Sequence, residues 1–263
     1  MNTKIKIVAT DKFEMQYFKF GTGKKTAVIL PGLSVKSIMN SANSVVSAYK
    51  SMEKDYTVYV FDRRTVCPKN YSIKNMADDT AEALRLLKLK DIYLFGVSQG
   101  GMIAQIIALD YPELVHKLVL CSTIAKITKD NSKVLKEWLF FAKRRDEESL
   151  CKSMLNTVYS DAFNKKYGKI LLELMNGASI EELDRFIILA NSIENFDVYD
   201  RLNKINCPTL VIGSKADKVF EFKYIVELAE RAGAQMISYE EYGHAVYDET
   251  PDCLKEIIKF FNK

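Results

Sequence analysis

The stretch "YLFGVSQGGMIAQ", Tyr93–Gln105, decides the fold. An apolar run typical of a buried parallel strand ends at Gly96, and apolar residues at helical spacing begin at Met102. Between them lies Gly96-Val97-Ser98-Gln99-Gly100, a match to the pattern G-x-S-x-G. Such a turn holds its serine in a strained backbone conformation, and the two flanking glycines let strand and helix approach closely. The stretch predicts a serine hydroxyl presented at a tight strand-to-helix turn, which we call the elbow. An ordinary glycine-rich turn is the structural alternative.

Composition and charge exclude several classes of protein. The 263 residues are 48% hydrophobic and 27% charged, as in ordinary globular proteins, and the formal net charge is only +4. The basic cluster at 143–145 is followed at once by the acidic residues 146–148, a pattern typical of a solvated helix face. We therefore expect no binding of nucleic acid.

The cysteines and the N-terminal sequence predict the compartment. Five cysteines are widely spaced, odd in number and form no C-x-x-C pair, which favours free thiols in a reducing environment. The N-terminus lacks the apolar segment of a signal peptide, and no apolar run approaches the ~18 residues of a membrane span. The expectation is a cytoplasmic protein without membrane insertion. The sequence gives no indication of the oligomeric state.

Strands and helices alternate along most of the chain. Two β-rich pieces at 4–8 and 14–20 predict an antiparallel hairpin. Further strands are predicted at Thr26–Leu30, Thr57–Phe61, Ile92–Phe95, Lys117–Cys121, Thr209–Ile212 and Gln235–Tyr239. This alternation predicts an α/β fold with a mostly parallel sheet and helices on both faces.

The alternation stops between residues 122 and 202. Four helical periods replace it: Val134–Ala142, Ser149–Val158, Lys165–Met175 and Ile180–Ile193. An insertion after the strand at Lys117 would lie above the carboxyl ends of the strands, where open α/β sheets bind ligands. We therefore expect a core domain made of 1–121 and 203–263, with 122–202 as a helical cap, or lid, and not as a separate domain.

A serine hydroxyl is a weak nucleophile unless a base takes its proton, and histidine is the usual base. The sequence has two histidines. His116 lies at the amino end of a predicted strand, where a surface or packing role is expected. His244 follows the last predicted strand, at the carboxyl edge of the sheet. Its position favours His244 as the base over a loop histidine with a structural hydrogen bond.

An acid must hold the base in one tautomer and stabilise the imidazolium. Asp217, in "LVIGSKADKVF", follows a strand at the same edge, although an Asx-turn is its structural alternative. Asp248 is the nearest rival, but its closeness in sequence to His244 makes reaching back to the ring awkward. We favour Asp217, because the order Ser98, Asp217, His244 is the nucleophile–acid–base order of a G-x-S-x-G elbow.

A tetrahedral oxyanion requires two hydrogen-bond donors. The backbone N–H of Gln99, directly after Ser98, is one candidate. The loop "LPGLSVKS" follows the predicted strand at Thr26–Leu30, and its Pro31-Gly32 turn makes the N–H of Leu33 the natural second donor. The sequence thus predicts an oxyanion hole made of two main-chain N–H groups.

Together these segments resemble the α/β-hydrolase fold superfamily over nearly the whole chain. The elbow, the loop after Leu30, the "GSKADKV" loop and the terminal "GHAVYDETP" occur in the superfamily's order. The resemblance implies a nucleophile, acid and base at Ser98, Asp217 and His244, and oxyanion donors at Leu33 and Gln99. The helical stretch resembles the lid of capped members, such as the proline iminopeptidase-like and carbon–carbon bond hydrolase-like branches.

The chain departs from the superfamily pattern in two places. Many relatives have His-Gly where this chain has Pro31-Gly32, and since the donor is a backbone amide, the histidine is dispensable. Many also have Asp-x-Arg-Gly-x-Gly-x-Ser after the next strand. The corresponding stretch "DRRTVCPKNYS" keeps Asp62 and Arg64 but lacks the glycines, which alters the loop beside the site.

The predicted cap is rich in large apolar residues, which at helical spacing are more often core than pocket wall. Some must face the cleft, and we expect Val35, Trp138 and Phe141 to line the substrate pocket. A small or medium, largely apolar ester, thioester or amide fits such a pocket best. Two histidines so placed cannot assemble the usual metal-ligand sets, and no cofactor motif is present.

The leading hypothesis is a cofactor-independent serine hydrolase that works through an acyl-enzyme. Acyl transfer or carbon–carbon bond hydrolysis on the same three residues is a second possibility, distinguished by its acceptor or products. A ligand-binding protein that keeps the fold without turnover is the third. A pure binder has no need of all three catalytic groups.

Overall fold

The structure, a computed structural model, describes residues 3–263. Within these residues one sheet has eight strands in the order β1-β2-β4-β3-β5-β6-β7-β8, with the bounds β1 Lys6–Ala9, β2 Glu14–Phe20, β3 Lys25–Leu30, β4 Tyr56–Arg64, β5 Ile92–Val97, β6 Val115–Cys121, β7 Thr209–Ser214 and β8 Gln235–Tyr239. The strands β3 to β8 pair in parallel, and β2 pairs antiparallel with both β1 and β4. The predicted fold class and the predicted hairpin are confirmed.

The α-helices fall into two groups. Those between the strands, or after the last strand, are α1 (Ala42–Ala48), α2 (Ile73–Leu86), α3 (Gln99–Asp110), α8 (Phe222–Arg231), α9 (Val246–Glu249) and α10 (Pro251–Asn262). Four lie between β6 and β7: α4 (Lys133–Lys143), α5 (Glu147–Val158), α6 (Asp161–Met175) and α7 (Ile180–Asn191). We refer to residues 122–202 as the helical insertion. No helix within residues 3–263 is long and apolar enough to cross a membrane.

The central strand β5 is buried along its whole length and contributes to two separate cores. Ile92 and Leu94 pack into the cluster that includes α2, α3 and much of the helical insertion. Tyr93 and Phe95 belong to the cluster on the opposite face, which includes α10. Successive side chains of a strand point to opposite faces, so a continuous apolar run places β5 in the middle of a two-sided sheet.

The strand β4 continues three residues past the predicted end at Phe61, through Asp62, Arg63 and Arg64. Antiparallel pairing with β2 persists there, with Met15 opposite Arg64. Hydropathy alone ends the strand at its last apolar residue, because charged residues are seldom buried without partners. Those partners are tertiary, and they lie beside the candidate active site.

Candidate active site

Four loops at one edge of the sheet bring the predicted residues to the same region. Leu33 follows β3, Ser98 follows β5, Asp217 follows β7 and His244 follows β8. All four strands run in parallel, so their carboxyl ends share an edge. The sheet therefore gathers residues that lie as far as 211 positions apart in sequence.

Ser98 forms a strained elbow between β5 and α3. Its backbone has φ 50° and ψ −118°, a conformation that costs a non-glycine residue on the order of 1–3 kcal/mol. Two contacts with the end of β6 hold it. The Ser98 N–H donates to the carbonyl of Cys121 at 2.9 Å, and the Thr123 hydroxyl donates to the carbonyl of Ser98 at 2.8 Å. The strain is thus maintained by the neighbouring strand.

The flanking glycines are required by close packing. A Cβ added at Gly100 would lie 2.0 Å from the carbonyl oxygen of Leu30, at the end of β3. A Cβ added at Gly96 would lie 2.6 Å from the carbonyl oxygen of Gly100. A side chain at either position would push α3 away from the sheet, and with it the residue that follows Ser98.

The two predicted oxyanion donors, Leu33 and Gln99, lie on either side of the contact between Leu30 and Gly100. Gln99 is the first residue of α3, so its N–H has no acceptor within the helix. The loop that carries Leu33 approaches Ser98, since a Cβ at Gly32 would be 3.4 Å from the Ser98 Cβ. Leu33 itself is half-buried.

His244 and Asp217 form a buried pair. His244 Nδ1 lies 2.8 Å from Asp217 Oδ2, and both residues are less than one-tenth exposed. Asp217 Oδ1 accepts the N–H groups of Val219 at 2.8 Å and Phe220 at 3.0 Å, which fixes the carboxylate. An ionised carboxylate only accepts hydrogen bonds, so Nδ1 donates and Nε2 is left as the basic nitrogen.

The rival residues have other partners. Asp248 Oδ2 accepts a 3.3 Å hydrogen bond from the Tyr159 hydroxyl. His116 lies at the amino end of β6. Its Nδ1 is 2.9 Å from Asp91 Oδ1, and its ring is tilted by 51° against the ring of Tyr93. Neither arrangement orients a base towards Ser98.

Within residues 3–263 neither the Ser98 hydroxyl nor His244 Nε2 makes a hydrogen bond with another protein group. In free enzymes the hydrogen bond between nucleophile and base is often long and tightens when substrate binds. A hydroxyl and an imidazole nitrogen at one sheet edge can in general supply a nucleophile and a proton acceptor.

Sequence reasoning missed a polar network that starts at the end of β4. Arg63 Nη2 donates to the carbonyl of Pro31 at 2.6 Å and to Gln99 Oε1 at 2.8 Å. Asp62 is buried beside it and accepts hydrogen bonds from Arg185 of α7 at 2.8 Å and from the Ser37 hydroxyl at 2.5 Å. The charged run Asp62-Arg63-Arg64 directly after an apolar run was the available signal. Their partners lie too far away in sequence to be predicted.

The charges in this network perturb one another. Burial lowers the pKa of Arg63 to about 10, although the Asp62 carboxylate raises it. Burial raises the pKa of Asp62, but the guanidiniums of Arg185 and Arg63 outweigh burial and hold that pKa below its ordinary value. At neutral pH all three groups are charged, so the network is a buried ionic cluster.

The helical insertion contacts the loop that carries His244 and the short helix α9 that follows it. The N–H of Ala245, beside His244, donates to the carbonyl of Val158 at 2.9 Å. The Glu249 carboxylate accepts the N–H groups of Ser160 and Gly243, each at 2.9 Å. These contacts fix the approach of the helical insertion to the candidate base.

The predicted pocket residues are largely packed into the core. Val35 and Trp138 are buried in the main hydrophobic cluster, and Phe141 is half-buried against it. The Trp138 indole N–H has no hydrogen-bond partner within residues 3–263, which is unusual for a buried tryptophan. Within the same residues no three His, Cys, Asp or Glu side chains cluster as metal ligands would.

A family model described as the alpha/beta hydrolase fold matches residues 28–251. The chain belongs to the α/β-hydrolase fold family. RutD of Rhizobium rhizogenes, a candidate carbamate hydrolase, is 25% identical over 237 residues, which span 87% of this chain and 88% of that protein. The pyrrolizixenacetamide deacetylase of Xenorhabdus hominickii is 26% identical over 199 residues, or 73% of each chain.

The fold of this α/β hydrolase is also found in solved structures. The esterase EaEST from Exiguobacterium antarcticum superposes with a TM-score of 0.82 at 22% identity, and the match covers 100% of both chains. At that identity the likeness establishes the architecture alone. Family and fold together make the protein a hydrolase-family enzyme, and its chemistry has to be argued from its own residues.

Proposed function

We propose that the protein is a serine hydrolase in which Ser98 is the nucleophile, His244 the base and Asp217 the acid. The observation that carries the proposal is the buried His244–Asp217 pair at the sheet edge that also presents the strained Ser98. A carboxylate fixed by two backbone N–H groups and paired with an imidazole is the arrangement that general-base catalysis requires.

The reaction proceeds in two halves. His244 Nε2 takes the Ser98 proton while Oγ bonds to the carbonyl carbon of the substrate, and the carbonyl electron pair moves onto oxygen. The N–H groups of Leu33 and Gln99 donate to this oxyanion. Its collapse breaks the bond to the leaving group, which takes the proton from Nε2 and leaves an acyl-enzyme. Water then attacks the acyl carbon in the same way, giving its proton to His244, and the released Ser98 recovers one.

The proposed substrate is a small or medium, largely apolar ester, thioester or amide. The helical insertion serves as the cap over the site, with Val35, Trp138 and Phe141 as its apolar wall. Support for an apolar wall comes from the hydrophobic cluster to which Val35 and Trp138 belong and against which Phe141 packs. Two relatives, one named as a candidate carbamate hydrolase and one as a deacetylase, are consistent with a carbonyl substrate.

We also place this activity in the cytoplasm. All five cysteines are free in the structure, and three of them are buried. Free thiols persist in compartments that keep cysteine reduced.

Labelling with a fluorophosphonate probe, followed by mass spectrometry of the modified peptide, tests the proposal. Phosphonylation at Ser98 is expected in the wild type and is abolished in Ser98→Ala and His244→Ala. The matched control is His116→Ala, which removes the other histidine and leaves labelling unchanged. A folded wild type that stays unlabelled, or that is labelled at another serine, contradicts the assignment.

A further inference from the structure

Arg63 connects the two segments that carry the predicted oxyanion donors. A single atom, Nη2, donates to the carbonyl of Pro31 at 2.6 Å and to the side-chain oxygen of Gln99 at 2.8 Å. Pro31 lies two residues before Leu33, and Gln99 is itself the other donor residue. One guanidinium thus bridges the two segments that carry these N–H groups.

The Gln99 side chain is also held from its other end. Its Nε2 donates to the carbonyl of Leu189 at 2.7 Å and lies 3.3 Å from the Ser192 hydroxyl, both at the end of α7. Gln99 is fully buried, so its amide has little freedom to turn. With Arg63 on one side and α7 on the other, the start of α3 is fixed in orientation.

The burial of Arg63 is costly for the fold. The residue is only 6% exposed, and its Nε atom has no hydrogen-bond partner within residues 3–263. A buried polar atom without a partner destabilises the folded state. The strongest acceptor nearby, the Asp62 carboxylate, receives its side-chain hydrogen bonds from Arg185 and Ser37. An ion pair that stabilises the fold is therefore a weak explanation for the buried guanidinium of Arg63.

The next residue provides a natural comparison. Arg64 is bound by Asp79, with Nη2 2.6 Å from Oδ1, and lies over the ring of Phe13. Its Nη1 also donates to the main-chain carbonyl of Lys12 at 3.5 Å. Arg64 therefore has a well-satisfied structural role, and none of its side-chain hydrogen bonds goes to the segments that carry Leu33 and Gln99.

We propose that Arg63 is the positioning residue of the oxyanion hole, and the proposal rests on the serine-hydrolase function proposed above. Its guanidinium holds the N–H groups of Leu33 and Gln99 at the spacing that one oxyanion requires. It does not touch the reacting atoms, and it acts through Pro31 and Gln99. Displacement of a catalytic group by about 1 Å can cost ~10²-fold in rate, and loss of one oxyanion donor costs ~10²–10³-fold.

The test compares Arg63→Gln, Arg63→Lys and Arg64→Gln with the wild type. The second-order rate constant for phosphonylation of Ser98 by a fluorophosphonate is measured beside kcat and KM for p-nitrophenyl butyrate. Arg63→Gln is expected to lower both the labelling rate and kcat by ~10- to 100-fold, with KM nearly unchanged. Arg63→Lys keeps the charge and a donating nitrogen but lacks the planar fork of the guanidinium, so its rates fall between those of wild type and Arg63→Gln. Arg64→Gln lowers the melting temperature and leaves both rates near those of wild type.

The outcomes separate the two proposals. A wild type that is not labelled at Ser98 overturns the serine-hydrolase function itself. A labelled wild type with Arg63→Gln rates equal to those of Arg64→Gln, or with a rise in KM alone, overturns the role of Arg63. If Arg63→Gln does not fold, Arg63→Lys decides, because wild-type rates in that variant contradict the proposal.

Discussion

Substituting alanine for Gly100 tests how closely α3 approaches the sheet. Alanine is a better helix former than glycine by about 1 kcal/mol, so local propensity predicts stabilisation. The tertiary contact predicts the opposite, because the new Cβ would lie 2.0 Å from the Leu30 carbonyl oxygen and 2.5 Å from that of Pro31. Both atoms are main chain, so the clash is relieved only by moving α3 or the end of β3.

The expected loss of stability in Gly100→Ala follows from these distances. Overpacking in a core typically costs 1–3 kcal/mol, and a clash with main chain belongs at the upper end of that range. After the gain in propensity, the net loss is about 2 kcal/mol. For a chain of this size the melting temperature then falls by roughly 4–8 °C. Since the displaced segment carries Pro31, we also expect the fluorophosphonate labelling of Ser98 to slow.

The helical insertion offers a matched control. Gly168 is also a helical glycine, but a Cβ there would meet Leu155 Cδ2 at 3.6 Å and Asn164 Cβ at 3.8 Å, which are ordinary contacts. Gly168→Ala is expected to raise the melting temperature by a few degrees, or about 0.5–1 kcal/mol of stability. Thermal unfolding followed by circular dichroism measures both variants. A Gly100→Ala protein as stable as Gly168→Ala would refute the close packing at the elbow.

Three further predictions concern charge and reactivity. Asp217→Asn is expected to lower kcat by ~10³–10⁴-fold, because His244 is then held in the wrong tautomer. Asp248→Asn is expected to change kcat little. Steady-state kinetics with p-nitrophenyl butyrate measures both variants, and a larger loss in Asp248→Asn would contradict the assignment of Asp217. The lowered pKa of Asp62 means that this carboxyl stabilises the fold above its unfolded pKa of ~3.9 and that the contribution is lost as pH falls through its folded pKa. Urea unfolding between pH 5 and 3 therefore shows a shallower loss of stability in Asp62→Asn than in the wild type, and parallel curves would contradict this. Only Cys67 and Cys207 are partly exposed, so Ellman's reagent titrates at most two thiols in the native protein and five in denaturant; a third fast thiol would show that the core opens.

The sequence by itself determined the class of fold and most of the elements. Continuous apolar runs of strand length, alternating with helical periods, specify a two-sided parallel sheet. A strand that is apolar on both faces has to be covered on both faces, and amphipathic helices between the strands provide that cover. The elbow was also readable, since its glycines and serine are close neighbours in the chain. Chain order and strand ends then pointed to Asp217 and His244, whose pairing at 2.8 Å the fold provides.

Only the tertiary structure decided what surrounds these residues. Asp62 and Arg63 are unremarkable charges in the sequence, and their burial depends on Pro31, Gln99 and Arg185, which belong to other loops and to α7. A charged side chain is stable inside a protein only when distant groups complete its hydrogen bonds, and sequence patterns carry no record of such partners. The end of β4 was missed because the partners of its charged residues lie far away in sequence. Two of those partners, Pro31 and Gln99, are also what makes Arg63 a candidate for positioning the oxyanion hole.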